Sequence, residues 1–120
     1  TNKIRMAKPG KLENLSRGSQ FCHQSSFILS SLQKKYPYNL SNRIGADFEF
    51  YYNQYIKGKC FKYINITVAK YSAGGLSDNE RVATIVGFWN VVKKDTVTNF
   101  YYIFRIQKEI LKSWIKKIVS

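Results

Sequence analysis

The sequence predicts an α+β fold in which several helices pack on a small sheet. Three segments, residues 47–57, 78–92 and 99–119, show the apolar periodicity of amphipathic helices. Residues 60–72 are rich in β-branched and aromatic side chains that nearly alternate, which predicts a strand. The chain has 120 residues, enough for one compact domain, and 44% of them are hydrophobic, enough for a core.

The remaining segments connect these elements. Residues 1–20 are polar and basic, which predicts loop and linker with room for a short helix. Residues 21–36 predict a strand end that runs into a short helix, and residues 36–45 predict a loop. We therefore divide the chain into residues 1–98 and a basic amphipathic C-terminal helix at residues 99–120.

Two of the predicted helices have recognisable ends. Gly58 follows the helix at 47–57, in the position just past a helix end where glycine is common. Ser77 and Glu80 form a capping box at the start of the helix at 78–92. One face of the first helix is predicted to carry Phe48, Tyr51, Tyr52, Tyr55 and Ile56.

The net charge restricts the partners of the protein. Its formal charge of +13 favours a phosphate-bearing partner or an anionic membrane surface. The basic residues are spread along the chain without a helix-turn-helix, zinc finger or RNA-binding aromatic motif, so we do not expect nucleic acid as the partner. The C-terminal helix, which contains Trp114 and several lysines, either packs on its own domain or lies in the plane of a membrane.

Cysteine and histidine are too scarce for a metal site or a disulfide framework. Cys22 and Cys60 are the only cysteines, which favours a reduced, cytosolic setting. His23 is the only histidine, and no spacing in the chain matches a metal-ligand motif. We therefore expect no metal bound by this chain.

Asp47 stands just before an aromatic helix face in a chain with only seven acidic residues. Two compatible interpretations follow: a helix N-cap that accepts backbone N–H groups, or a general base held at a helix start. Glu49 projects from a different side of the helix, so the two acids do not form a paired-carboxylate site. The segment SAGGLS at 72–77 is either a flexible connector or a phosphate-cradling loop.

Three pieces of the sequence follow one another in an order typical of a known family. They are FCHQSSFI at 21–28, RIGADFEFYYNQYIKGKCFKYINITVAKYSAGGLS at 43–77, and a basic hydrophobic tail. The ordered set resembles the carboxy-terminal half of a bacterial family 2 glycosyltransferase, of the type that builds surface polysaccharides. The resemblance covers about residues 20–80, with Phe48 where the family more commonly has Tyr and Leu76 where it usually has Ile.

The resemblance implies the acceptor-side half of a GT-A-type fold, part of an inverting transferase. Asp47 would be the catalytic base, which takes the proton of an acceptor hydroxyl as that oxygen attacks the anomeric carbon of a nucleotide-sugar. His23 and Gln24 would line the acceptor side. A mobile loop closing over the site would include Gly74, Gly75 and Ser77.

The family's Asp-x-Asp motif, which positions Mg²⁺ or Mn²⁺ on the diphosphate, belongs to its amino-terminal half and is absent here. The resemblance therefore implies a fragment that is inactive alone. The longer enzyme would bind a nucleotide-sugar donor and a glycan or lipid-linked acceptor, peripherally at the cytoplasmic face of the inner membrane. The alternative is a stand-alone basic module that binds nucleic acid or an anionic membrane.

Overall fold

Helices are the only regular secondary structure in the part of the chain that this computed structural model describes, residues 6–70 and 80–120. The predicted α+β fold is therefore wrong, and with it the partial GT-A-type architecture, because no described residue lies in a strand. The elements in chain order are the N-terminal 3₁₀ helix Leu12–Arg17, the 3₁₀ turn His23–Ser25, α1 Ser30–Lys35, α2 Ala46–Ile56, α3 Arg81–Val91 and α4 Thr96–Val119.

The strand predicted at 60–72 does not form in its described part, residues 60–70. A strand requires a neighbour that pairs with its backbone N–H and C=O groups, and no segment within 6–70 or 80–120 provides one. Its apolar side chains, among them Tyr63, Ile64 and Ile66, remain exposed. The strand end predicted within residues 21–36 is also absent, whereas the short helix predicted there is α1.

Helix α2 is buried on two faces. It lies one residue earlier than predicted, and Gly58 just beyond its end has a φ of 76°, which confirms the predicted helix end because glycine tolerates this left-handed conformation. Ile56, expected on the apolar face, is exposed. Phe48 and Tyr52 pack into the main core, while a second buried face carries Phe50, Tyr51 and Gln54.

The main core forms where α2, α3, α4 and the N-terminal 3₁₀ helix meet. Its buried members include Leu15, Phe48, Ile85, Val92 and Tyr102. Only residues 92–95 separate α3 from α4, so these two helices are neighbours in space as well as in sequence. The short helix predicted within residues 1–20 is the 3₁₀ helix Leu12–Arg17, and residues 6–20 are more than a linker because Leu15 is buried in this core.

The starts of α3 and α4 differ from the sequence prediction. The structure begins α3 at Arg81 with Glu80 in the N-cap position, and Ser77 of the predicted capping box lies outside the described residues. The Glu80 carboxylate lies 3.0 Å from Arg43 Nη2. Helix α4 begins at Thr96 because the Asp95 carboxylate accepts a 2.7 Å hydrogen bond from the Thr98 backbone N–H, which also lowers the pKa of Asp95.

Tyr102 joins α4 to the N-terminal segment. Its side chain is fully buried, its ring stacks on Trp89 with centroids 6.1 Å apart, and its hydroxyl donates a 2.6 Å hydrogen bond to the Ser16 carbonyl. Burial raises the pKa of Tyr102, so the phenol remains a neutral donor. Arg105, one turn further along α4, donates to the Arg17 carbonyl at 3.1 Å.

The fold leaves an unusually large surface in water. Its accessible area of 9615 Å² exceeds the roughly 6,700 Å² expected for a compact protein of 14.0 kDa. The radius of gyration is 15.8 Å, compared with about 13.6 Å for a compact chain of this length. Many large apolar side chains are among the exposed residues, which points to further binding surfaces.

We expect Tyr102→Phe to lower the free energy of unfolding by about 1 kcal/mol, because it leaves the Ser16 carbonyl without its donor. Urea denaturation followed by circular dichroism measures this change. The matched control is Tyr101→Phe, since the Tyr101 hydroxyl donates a longer, exposed 3.3 Å hydrogen bond to the Arg17 carbonyl and accepts one of 3.2 Å from Arg105. Equal losses in the two variants would contradict a specific role for the buried hydrogen bond.

Candidate functional site

Asp47 and His23 form a pair at the start of α2. His23 Nδ1 lies 2.9 Å from Asp47 Oδ2, and Asp47 Oδ1 accepts a 2.8 Å hydrogen bond from the Phe48 backbone N–H. The Asp47 side chain is 31% exposed and that of His23 is 54% exposed, so a solute can reach both. The structure thus brings together two of the residues predicted to form the site.

The N-cap interpretation of Asp47 is wrong, because Gly45 occupies the N-cap position of α2. The Gly45 N–H donates a 3.1 Å hydrogen bond to Asn42 Oδ1. Asp47 lies in the first turn of the helix, where the partial positive charge of the free N–H groups favours a carboxylate. Asp47 is therefore a helix-start carboxylate whose second oxygen is directed to His23.

The 3₁₀ turn that carries His23 is fastened to α2 by a chain of hydroxyl groups. Ser26 Oγ donates a 2.7 Å hydrogen bond to the His23 carbonyl, and Tyr51 is hydrogen-bonded to the same Ser26 oxygen. Because Ser26 has a single hydroxyl proton and donates it to the His23 carbonyl, Tyr51 is the donor in the hydrogen bond between the Tyr51 and Ser26 hydroxyl groups. Tyr51 follows Asp47 by one helical turn, so one face of α2 holds both the acid and the support for its partner.

Aromatic rings surround this hydroxyl chain. Phe21 packs edge-on against Tyr51 with centroids 4.9 Å apart, and Tyr38 packs edge-on against Phe50 at 5.5 Å. Burial raises the pKa of Tyr38 to about 12, with further contributions from the Tyr51 phenol and the Asp47 carboxylate. Tyr38 is therefore a neutral phenol at physiological pH.

Gln54 continues the same face of α2 one turn beyond Tyr51. Its side chain is 2% exposed, and its Oε1 has no hydrogen-bond partner among the described residues.

Gln24, also predicted to line the acceptor side, follows His23 in the same 3₁₀ turn. Its Oε1 accepts a hydrogen bond from the Cys22 thiol. The predicted loop residues Gly74, Gly75 and Ser77 lie outside the described residues, and their assignment to the site remains a prediction. Ser26 and Tyr38 were not identified from the sequence as parts of the site. For Ser26, its position three residues after His23 was a local signal of a hydrogen bond to the His23 carbonyl; for Tyr38 the sequence contained no such signal.

A polar cleft of about 420 Å³ opens on a third side of α2. The Glu49 carboxylate accepts hydrogen bonds from Asn42 Nδ2 at 2.8 Å and from Asn39 Nδ2 at 3.2 Å. The remaining lining is Ser41, Asn53, Gly87, Asn90 and Val91. Amide, hydroxyl and carboxylate groups of this kind can pair with the donors and acceptors of a polyhydroxylated ligand.

The described residues do not fit the metal that the resemblance implies. Within 6–70 and 80–120 no three His, Cys, Asp or Glu side chains come together as they would around a metal ion. The chain also lacks the Asp-x-Asp motif. No chemistry through a metal is therefore assigned to these residues.

Comparison with known proteins yields no relative: no family model, curated protein or solved structure matches this chain. The candidate site therefore depends on its own geometry and on the ordered motifs of the sequence. A search of the helices in the described segments also finds none that is both long enough and apolar enough to cross a bilayer.

We expect neutral His23 to carry its proton on Nδ1, because the Asp47 carboxylate accepts from that nitrogen. Long-range ¹⁵N–¹H correlation spectra at a pH where the imidazole is neutral measure this tautomer directly. Asp47→Asn should weaken the preference for Nδ1. The control is Glu49→Gln, a neighbouring carboxylate held by Asn39 and Asn42, and an equal response in the two variants would exclude the pair.

Proposed function

We propose that this chain is the acceptor-activating part of an inverting glycosyltransferase, with Asp47 as the base that deprotonates the acceptor hydroxyl. The observation that carries the proposal is the His23–Asp47 pair, partly exposed and fixed to α2. The ordered motifs quoted above support the same assignment.

The reaction requires a group that accepts a proton as the acceptor oxygen forms its bond to the anomeric carbon. The bond from that carbon to the nucleoside diphosphate breaks at the same time, and configuration is inverted. In the proposal the proton moves to the Asp47 carboxylate, whose oxygens retain lone pairs beyond the hydrogen bonds from His23 and Phe48. General-base catalysis of this kind contributes about 10²–10⁴-fold to the rate.

In this proposal His23 is a positioning residue. Its Nδ1 fixes the rotamer of the Asp47 carboxylate, and the hydroxyl chain through Ser26 fixes the turn that carries the imidazole. A base must lie within hydrogen-bond reach of the proton that it removes, so the orientation of the carboxylate matters as much as its basicity. His23 Nε2 is a further acceptor or donor for a neighbouring hydroxyl of the acceptor.

The surroundings of the pair support a glycan or lipid-linked glycan as the acceptor. His23 and Asp47 are partly exposed, so an acceptor hydroxyl can reach the pair. Phe21 and Tyr38, which pack against aromatic residues of α2, are themselves only partly buried and offer apolar surface to the C–H faces of a sugar. The nucleotide-sugar donor, and any Mg²⁺ or Mn²⁺ on its diphosphate, is assigned to a donor half outside these 120 residues. The chain alone is then inactive.

We further propose that the enzyme works peripherally at the cytoplasmic face of the inner membrane. The net charge of +13 supports this location, because the negative surface potential of a bilayer attracts basic segments. A lipid-linked acceptor would require the site to reach the membrane surface. A stand-alone membrane-binding module without transferase activity is the second candidate, favoured by the exposed apolar side chains of α4.

In the longer enzyme we expect Asp47→Asn to reduce turnover about 10²–10⁴-fold while binding of the donor persists. His23→Gln should reduce turnover less, because the carboxylate remains but loses its orienting partner. Transfer of a radiolabelled sugar to an acceptor panel measures turnover, and calorimetry measures donor binding. The matched control is Glu49→Gln, the carboxylate on the opposite side of α2.

Full turnover in Asp47→Asn would contradict the assignment of the base. Metal-dependent, micromolar binding of a UDP- or GDP-sugar by the isolated 120-residue chain would contradict the proposed division between donor and acceptor halves. Calorimetry on the isolated chain with a panel of both nucleotide-sugars tests the second point independently of activity.

A further inference from the structure

Helix α4 presents a second apolar surface that does not contribute to the core. Its inner side carries Tyr102 and Ile106, which pack in or against the core, followed by Glu109. The helical repeat places another set of large apolar side chains on a different face. We name this set the outer face of α4, and it consists of Phe100, Phe104, Leu111, Trp114, Ile115 and Ile118.

Every member of the outer face is more than half exposed; Trp114 is 65% exposed and Ile118 is 78% exposed. Every residue from 110 to 120 is exposed. Among the described residues, the salt bridge farthest along α4 that joins it to another helix is that of Glu109, which lies 3.7 Å from Arg81 of α3. Packing of the helix on its own domain, one of the two alternatives for this segment, therefore holds for Tyr102 and Ile106 but not for Trp114.

Lysines lie along both edges of the outer face. By the helical repeat Lys108 stands at one edge and Lys117 at the other, while Arg105, Lys112 and Lys116 occupy the polar side. The only acid in α4, Glu109, lies on the inner side, where it pairs with Lys112 at 3.6 Å and with Arg81. The charged side chains of α4 at the edges of this apolar surface are thus positive, whereas Asp95, just before the helix, lies near Phe100 and Phe104 at its N-terminal end.

This charge pattern distinguishes between the possible occupants of the outer face. A second copy of the chain would bring Lys108 and Lys117 against the same lysines of its partner, and flanking like charges oppose helix pairing. An anionic bilayer surface complements both features, because lysines at the edges reach phosphate groups while the apolar side chains enter the acyl boundary. Tryptophan is well suited to that interface.

We propose that the outer face of α4 binds in the plane of an anionic membrane, with Lys108 and Lys117 at the level of the lipid phosphates. This inference deepens the peripheral location proposed above and does not depend on transferase activity. The inner side of α4 packs against the core through Tyr102, so a membrane-bound α4 would hold the rest of the fold at the membrane surface. Because lysine charges contribute to this contact and salt screens them, we expect the binding to be reversible and sensitive to salt.

Co-sedimentation of the 120-residue chain with lipid vesicles tests the inference. We expect binding to vesicles that contain phosphatidylglycerol, little binding to pure phosphatidylcholine, and loss of binding at high salt. The double variant Leu111→Gln/Ile118→Gln should weaken binding by about tenfold or more. Lys108→Gln/Lys117→Gln should weaken it by up to about thirtyfold at low salt.

Two matched variants give the experiment its controls. Ser113→Gln adds a polar side chain on the inner side of the same exposed segment and should leave binding unchanged. Gln107→Leu replaces the polar residue that lies within the outer face and should strengthen binding. Tryptophan fluorescence should shift to the blue on binding, and Trp114→Phe should abolish the shift because Trp89 stays against the core.

Each remaining outcome would overturn the inference in a different way. Binding to anionic vesicles that is unaffected by the outer-face variants would retain the membrane location but move it away from α4. If the chain binds no vesicles, both the proposed membrane location and the proposed role of α4 are wrong, while the assignment of Asp47 as the base is unaffected. Sedimentation equilibrium that shows a dimer lost in Leu111→Gln/Ile118→Gln would identify a second copy as the occupant.

Discussion

The burial of α2 on two faces is the constraint on which the rest of the structure depends. Phe48 and Tyr52 fix one face in the core with α3 and α4, and Tyr51 and Gln54 are buried on the second face. A helix held on both sides cannot rotate without unpacking one of them, and close packing makes such rotation costly. Asp47 at its first turn therefore has a fixed direction, toward the turn that carries His23.

The sequence predicted the helices better than it predicted their environment. The periodicity around Phe48 and the glycine at position 58 locate α2, because both signals are local and arise from the helix itself. The strand predicted at 60–72 was wrong in its described part. β-branched residues are favourable in a strand that is paired and half-buried, but whether a pairing partner exists depends on the whole chain. The Asp95 cap was present in the sequence as a local signal, and it places the start of α4 three residues before the predicted one.

The candidate site was only partly predictable for the same reason. Asp47 could be identified from its place before an aromatic helix face, and His23 from motif order. Their contact could not be derived from the residues, since 3₁₀ turns carry little periodic signal and the two lie far apart along the chain. The hydroxyl chain from Tyr51 through Ser26 needs tertiary contacts, which no local pattern encodes.

The molecule has two distinct candidate surfaces for partners. At the start of α2 the partly exposed His23–Asp47 pair offers polar groups to a hydroxylated ligand. The outer face of α4 combines apolar side chains with edge lysines, a chemistry suited to anionic lipid. The candidate chemical site and the candidate membrane-binding face therefore lie on different helices, α2 and α4.

A double-mutant cycle measures whether His23 and Asp47 interact directly in solution. The free energies of unfolding of the parent, His23→Gln, Asp47→Asn and the double variant are measured in urea near neutral pH. We expect a coupling free energy of about 0.5 kcal/mol, typical of a partly exposed, hydrogen-bonded pair. Strict additivity of the two single changes would contradict it.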